Sequence, residues 1–325
     1  MGDEKKGEAI NLRPEYQRRL RWANAQKSKL IESLLLNIPI PPVFFYEADA
    51  ARYEVMDGQQ RLNAIRDFFA GDFQLSGLKV LTPLNGLRYP RCPPRVKRTL
   101  ERATISAIVL LMESDTERAG KEGRTITDIR RLVFDRLNTG GQQLNAQEIR
   151  NALNPGPLNK RIIDLTRENL FVEVFGITPY TEEDEDKYYE NPSRRSNKLY
   201  SSMGDCELVL RFFALRDLGN IRGSMKSMLD RAMEEQLSDE ESQKLAEDFR
   251  SRFKFLYDLF DRQPFRIASK ADGREKISAA LYDAAMVALD RIWVERDRVG
   301  EDKAGVRERL NNALKDDSSG NPPPF

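Results

Sequence analysis

Asp57, Gly58, Gln59, Gln60 and Arg61 put a carboxylate, two amides and a guanidinium into five consecutive residues. Such a set can hold a metal-bound phosphate or read the edge of a nucleic-acid base. The flanking pattern places it where a strand runs into a helix. Tyr53, Val55 and Met56 read as a short buried strand that Asp57-Gly58 breaks. From Gln59 on, Leu62, Ile65 and Phe69 recur on one helical face, Phe68 widens that face, and Gly71 closes it. A helix start leaves backbone N–H groups unpaired and carries partial positive charge, so it attracts anions. The competing structural reading is a capped helix start that faces solvent.

Two further polar clusters stand beside predicted elements. One carries Tyr16, Gln17 and Arg18, followed by Trp22 and the periodic Leu30, Leu34 and Leu35. The other carries Asn138, Thr139, Gly140 and Gly141, then Asn145 and Glu148. Phosphate can be held by the helix start at Gly58, Gln59 and Gln60 and by the Gly140-Gly141 pair, whose backbone can approach closely. Arg61 would supply a bidentate cation and Arg18 a second. Asp57 can ligate magnesium through oxygen, the donor that ion prefers. A general base is open between Asp57, Glu148 and Gln60, although Asn145 and Glu148 also have the spacing of a capping box. Tyr16 offers a ring for stacking and Gln17 an amide for edge reading. The alternative is that Tyr16 and Trp22 are half-buried strand residues. Glu54 and Asp57 lie three apart on a strand and should face opposite ways, against a ready carboxylate pair for a nuclease. The chain has no Walker A sequence, which excludes a P-loop.

The positioning elements follow from periodicity. A helix is expected over Lys27–Leu36, ended by Asn37-Ile38-Pro39. Pro41 and Pro42 lead into a strand through Tyr46, which should pair with Arg52–Met56 across a turn at Glu47–Ala50. Residues Ser76–Pro94 read as loop, Thr104–Leu111 as a buried strand and Thr127–Leu137 as a helix. Beyond Pro155 the pattern is helical with no strand. Three stripes mark helix faces: Cys206, Val209, Leu210 and Phe213; Phe249, Phe253, Leu256 and Phe260; Ile277, Leu281, Ala284, Ala288 and Ile292. The acidic run Thr181–Asp186, with Arg194, Arg195 and Lys198 after it, reads as a solvated loop or as one that orders on DNA. The tail 316–325, with its Ser, Gly and Pro, is expected to be disordered.

Taken together, Tyr16-Gln17-Arg18, Asp57 to Arg61, Asn138 to Gly141 and Asn145 to Arg150 resemble the N-terminal domain of GmrSD-type modification-dependent restriction enzymes. That family is related in fold to ParB and sulfiredoxin-like domains. Cys206 to Phe212 is similar to a downstream helix of stand-alone members. The resemblance implies an α+β ParB/sulfiredoxin-like domain over residues 1–153 and an all-α domain over 154–315. It also implies nucleoside triphosphate binding with magnesium, hydrolysis, and sensing of modified DNA through the Tyr16-Gln17-Arg18 segment. A nuclease on a separate chain would then do the cutting. Outside that resemblance, a DNA-binding module without catalysis and a metal-dependent DNA nuclease stay open, as does self-association.

Composition excludes more than it selects. The chain contains no histidine, so it offers no Ser-His-Asp triad, no Cys-His pair and no nuclease of the His-Asn-His type. Sulfiredoxin chemistry needs a cysteine at the helix-start turn, where Gln59 and Gln60 stand. Cys92 and Cys206 make neither a disulfide framework nor a zinc cluster. Charged residues are 32% of the 325 residues, yet the net charge is only +1, so any DNA contact needs a local basic patch. The N-terminus lacks the hydrophobic segment of a secretory signal and no apolar run approaches membrane-spanning length, so a cytoplasmic location is expected.

Overall fold

Pro41 and Pro42, which cannot donate to a ladder, precede strand β2 (Val43–Asp49), and the chain returns as β3 (Arg52–Asp57) in antiparallel pairing. The computed structural model describes residues 10–11, 22–49, 52–110, 145–154, 156–181, 191–235, 237–268 and 275–315. The helix expected over 127–137, the acidic residues 182–186 and the tail 316–325 lie outside the described residues. The chain divides into two compact units, Met1–Leu144 and Asn145–Phe325.

In the first unit β1 (Ile10–Asn11) runs parallel to β3, and β4 (Ala107–Leu110) runs parallel to β2, giving the sheet order β1-β3-β2-β4. Three features differ from expectation. β2 continues through Glu47 to Asp49, so the reversal is tighter than the turn expected at Glu47–Ala50. Asp57 ends β3 instead of breaking it, and the register skips Met56, because Phe44 pairs with Asp57 and Phe45 with Val55. That bulge leaves Val55 and Met56 buried in succession. The strand expected to be buried at Thr104–Leu111 is the four-residue β4, where Ile108 and Val109 are 43% and 40% exposed. Composition reported its β-propensity and not its place at the sheet edge.

Helices α1 (Asn24–Leu35), α2 (Gln59–Ala70) and α3 (Pro94–Glu101) complete the described part of this unit. Gly71, at φ +80°, ends α2 as expected. The buried face of α2 is Ala64 and Phe68 with Asn63 and Asp67, whereas Phe69 is partly exposed. These residues share a core with Leu30, Ile31, Phe73, Leu75 and Leu100. The loop-like stretch after Ser76 is held by α1. Ser28 Oγ accepts from Ser76 N at 2.9 Å, and the buried Glu32 carboxylate accepts from Val80 N and Leu81 N, each at 2.9 Å.

The second unit is helical: α4 (Ala146–Leu153), α5 (Pro157–Leu165), α6 (Asn169–Val174), α7 (Pro192–Ser196), α8 (Lys198–Ser201), α9 (Gly204–Arg216), α10 (Met225–Glu234), α11 (Asp239–Leu259), α12 (Ala279–Arg291), α13 (Arg296–Glu301) and α14 (Lys303–Lys315). The expectation of no strand fails at one place, the hairpin of β5 (Arg266–Ala268) and β6 (Glu275–Ile277). Helix α4 packs with α9 and α10, so the unit boundary precedes it and falls nine residues before the expected 153/154 division. The stripes on α9 and α11 are core, apart from a half-buried Phe260, and Phe171, Phe212, Phe249 and Phe253 form one aromatic cluster. The third stripe holds in part: Leu281 is buried and Ala284 half-buried, but Ile277 lies in β6, Ala288 and Ile292 are exposed, and Tyr282, Met286 and Leu289 complete the inward face. No helix among the described residues is long and apolar enough to cross a membrane.

Glu32 makes the acid stability of the first unit testable. Its carboxyl is held below its ordinary value, first by the Leu81 N–H, with burial opposing and Val80 and Lys79 adding to the effect. Unfolding restores the higher value, so the unfolded chain takes up the proton first as pH falls. The stabilisation is complete above the ordinary carboxylate range and is lost as pH drops through the folded value. Glu32→Gln should lower the melting temperature at neutral pH by about 2–4 °C. That gap should close in acid, and a gap of constant size down to strongly acidic pH would show that Glu32 ionisation is not its source.

Candidate functional site

The bulge at Met56 delivers Asp57 to the end of β3, and Gly58 then carries the chain into α2. Gly58 has φ +95°, a left-handed conformation that favours glycine. Space demands it as well, since a Cβ there would lie 2.5 Å from Val43 Cγ1. No side chain caps α2, and no acid occupies its first turn.

Arg61 stands one turn into the helix. Its Nη2 donates to Asp57 Oδ2 and its Nη1 to Pro41 O, each at 2.6 Å. The guanidinium is only about 10% exposed, while the Asp57 carboxylate is 49% exposed. Both outer nitrogens of Arg61 are therefore engaged by the protein itself, and a phosphate would have to displace the carboxylate to receive a fork. Gln60 Oε1 accepts from Trp22 N at 3.1 Å, and Gln59 is buried with its carbonyl accepting from Asn63 Nδ2 at 2.8 Å. Trp22 is half-buried and packs on the core, outside any strand. One turn further on, the buried Asp67 receives Lys27 Nζ and Arg66 Nη2, each at 2.7 Å. Sequence reasoning missed this pair of cations, although Arg66-Asp67 stands between Ile65 and Phe68 on the predicted helix.

The structure thus brings together Asp57, Gly58, Gln59, Gln60 and Arg61. Tyr16, Gln17, Arg18, Asn138, Gly140 and Gly141 lie outside the described residues. Glu148 serves the capping box: Asn145 Oδ1 accepts from Gln147 N and Glu148 N at 3.0 and 2.9 Å, and Glu148 Oε2 accepts from Asn145 N at 2.8 Å. That use of its carboxylate, in the second unit, takes Glu148 off the list of bases.

Two geometric expectations need correction. Glu54 pairs with Tyr46 and Asp57 with Phe44, and Phe44 and Tyr46 share a face of β2. The bulge therefore puts Glu54 and Asp57 on one face of the sheet, where strict alternation would have separated them. The expected DNA-contacting trio also comes apart. Arg194 is fully buried, donating Nε to Thr178 O at 2.9 Å and Nη2 to Pro179 O at 2.7 Å, with its guanidinium 3.8 Å from the Tyr180 ring centre. Arg195 is half-buried and Lys198 is exposed. A guanidinium enclosed like that of Arg194 reaches no phosphate.

For magnesium, the donor chemistry fits a site shared with phosphate. Among the described residues no three acidic or cysteine side chains converge as a metal cluster. A single exposed carboxylate such as Asp57 suits an ion that usually takes one or two carboxylates together with substrate phosphates.

Residues 2–154 match the family model of the GmrSD restriction endonuclease N-terminal domain. No curated protein and no solved structure matches the chain. The matched span contains every residue of the helix-start cluster and extends through α4. Residues 2–154 belong to the GmrSD restriction endonuclease N-terminal domain family, which ties the chain to restriction and defence.

Proposed function

We propose that the Asp57–Arg61 turn binds the phosphates of a nucleoside triphosphate together with magnesium and promotes hydrolysis. In this reading the domain is the nucleotide-dependent component of a modification-dependent restriction or anti-phage system. It would be coupled to DNA sensing and to a nuclease on a separate chain. The observation that carries the reading is an uncapped helix start with a nearly buried Arg61 held against an exposed Asp57. Helix-start N–H groups and a guanidinium recognise phosphate oxygens, and the pair Asp57/Arg61 can exchange partners without either charge being stranded. Arg61 stays anchored by the Pro41 carbonyl while its other nitrogen turns from Asp57 to phosphate. Asp57, once released, is the carboxylate for the metal. Bound magnesium would neutralise charge developing on the transferred phosphoryl group. Positioning and charge neutralisation need no histidine, and with Glu148 in its cap the candidate bases are Asp57 and Gln60.

A second reading, a metal-dependent DNA nuclease, draws on Glu54 and Asp57 sharing a sheet face. It is the weaker, because two carboxylates are few for the paired metals of such enzymes.

Phosphate release from each nucleoside triphosphate with magnesium, measured with and without DNA, tests the first reading. Arg61→Ala and Asp57→Asn should each lower turnover by about 100-fold or more, the scale for loss of one charge-stabilising group. Arg61→Lys should fail too, since a single ammonium cannot serve Pro41 O and a phosphate as a fork does. Turnover that survives all three substitutions would remove the turn from the site. Plasmid cleavage that disappears in Asp57→Ala, without nucleotide turnover in the parent, would favour the nuclease instead.

Gly58→Ala tests the scaffold under that chemistry. Left-handed backbone and the Val43 clash together should cost about 2 kcal/mol or more. The same substitution in a Val43→Ala background should cost less, because the 2.5 Å contact with Cγ1 is gone, while the backbone strain and the 3.0 Å approach of the residue-43 Cβ remain. Equal costs in both backgrounds, measured by denaturant unfolding, would mean that the contact with Val43 is not what fixes Gly58.

A further inference from the structure

Helix α3 and the turn before it carry a concentration of charge that neither the fold nor the proposed nucleotide site uses. Between residues 88 and 102 stand six basic side chains and a single acid, Glu101, in a chain whose net charge is +1. Glu101 accepts from the Tyr89 hydroxyl at 2.9 Å and pairs with no arginine among the described residues. Arg88 donates to Gly71 O, and Lys97 donates to Pro90 O and lies over the Tyr89 ring. The remaining four, Arg91, Arg95, Arg98 and Arg102, are exposed, and their side chains make no hydrogen bond or ion pair among the described residues. Some exposed arginines elsewhere meet acids, as Arg262 does Glu173 at 2.7 Å and Arg309 does Asp302 at 2.9 Å. Arg52, Arg222, Arg266 and Arg291 are exposed without one among the described residues, but they stand singly, so what sets residues 91–102 apart is the concentration.

The spacing makes a row of these cations. Positions 95, 98 and 102 differ by three and four, so they lie on one side of the helix, and Arg91 precedes them at its N-terminal end. Like charges three and four apart repel, and Arg95 occupies a first turn that holds no acid, where the helix dipole disfavours cations, whereas Arg98 and Arg102 sit at the C-terminal end, where it favours them. An anionic partner would relieve the mutual repulsion of the row.

We propose that Arg91, Arg95, Arg98 and Arg102 form a docking face for the phosphate backbone of duplex DNA, separate from the Asp57–Arg61 turn. Four arginines and no free lysine favour phosphate, which accepts the planar fork. From Arg95 to Arg102 the helix rises about 10 Å, while duplex DNA presents a charge every ~1.7 Å of its axis, so the row meets several phosphates at once. A lipid surface fits less well. The apolar residues of α3, Val96 and Leu100, pack into the core and leave no apolar face to insert. The choice of DNA among polyanions rests on the restriction reading; the location of the face does not. Phosphate contacts position a protein without reading sequence, so this face would hold a duplex while other residues inspect it.

The test uses the full chain and a short fluorescein-labelled unmodified duplex, titrated by anisotropy at several salt concentrations. The wild type should bind with affinity falling steeply as salt rises. Replacing all four arginines by glutamine should reduce the slope of log affinity against log salt by about 3–4 and weaken low-salt binding by about tenfold or more. Replacing them by lysine should keep most of the slope. Thermal unfolding of both variants should match or exceed that of the wild type, because no native contact is removed. A glutamine variant with wild-type slope and affinity overturns the proposal. So does a wild type that ignores duplex, including one that binds phosphatidylserine vesicles through these arginines, which would make the face a membrane surface. Triphosphate turnover is measured without DNA, so its failure with duplex binding intact would condemn the nucleotide reading alone.

Discussion

Arg61 donates in two directions, to the carbonyl that precedes β2 and to the carboxylate that ends β3, and those two bonds fix the start of α2 against both strands. The junction has little freedom to begin with. Gly58 is pressed onto Val43 from a left-handed conformation, so the helix can leave the sheet in only one direction. A nearly buried guanidinium is costly unless its charge is paired and hydrogen-bonded, and the β2 approach and the β3 terminus supply one acceptor each. The polar face of α2 continues that logic through Asn63 and Asp67, each buried and each bonded. The site is therefore also a structural joint.

Arginine is used in two opposite ways in this chain. In the second unit several arginines are buried or half-buried and paired. Arg150 sends Nε to Asp230 at 2.8 Å, linking α4 to α10. Arg216 and Arg252 share Asp248 and Asp290 across α9, α11 and α12, with Arg252 also 4.2 Å from the Trp293 ring centre. Removing one member of such a set strands a charge and costs about 3–5 kcal/mol, which makes these pairs specifiers of helix arrangement more than sources of net stability. Arg194 belongs with them, enclosed by two carbonyls and a tyrosine ring. On α3 the arginines are exposed and unmatched. Net charge near zero conceals this partition, because the balance is struck over the whole chain while any partner meets a local surface.

What sequence could reveal follows the same physics. The β2–β3 hairpin, the helix from Gln59 to Gly71, the capping box of Asn145 and Glu148 and the aromatic core of the second unit were legible, since each rests on local spacing or on large apolar side chains. Four kinds of feature were not. The bulge at Met56 changes which residues share a face, and only the partner strand's register shows it. Exposure of Ile108 and Val109 depends on position in the sheet, which composition does not encode. The third stripe counted Ile277 into a helix that begins two residues later, shifting its inferred face. Arg194 lies in a basic segment like a surface residue, yet its burial depends on carbonyls fifteen and sixteen positions away. The arginines of α3 stand in the sequence as a local charge excess, but only the helix shows three of them on one side.

On the proposed function, the Asp57–Arg61 pair has a thermodynamic consequence. Phosphate alone must displace Asp57 from Arg61, leaving a carboxylate beside a new anion. Magnesium alone draws the carboxylate away and leaves a nearly buried guanidinium without one of its acceptors. Bound together, the two ligands satisfy both partners. Each should therefore raise the affinity for the other, a reciprocity required by linkage and set here by one ion pair at 2.6 Å. In that reading the protein's own salt bridge would act as an internal competitor that favours a metal–triphosphate complex over either component, and specificity for the complex would need no residue beyond the two that already hold the joint together.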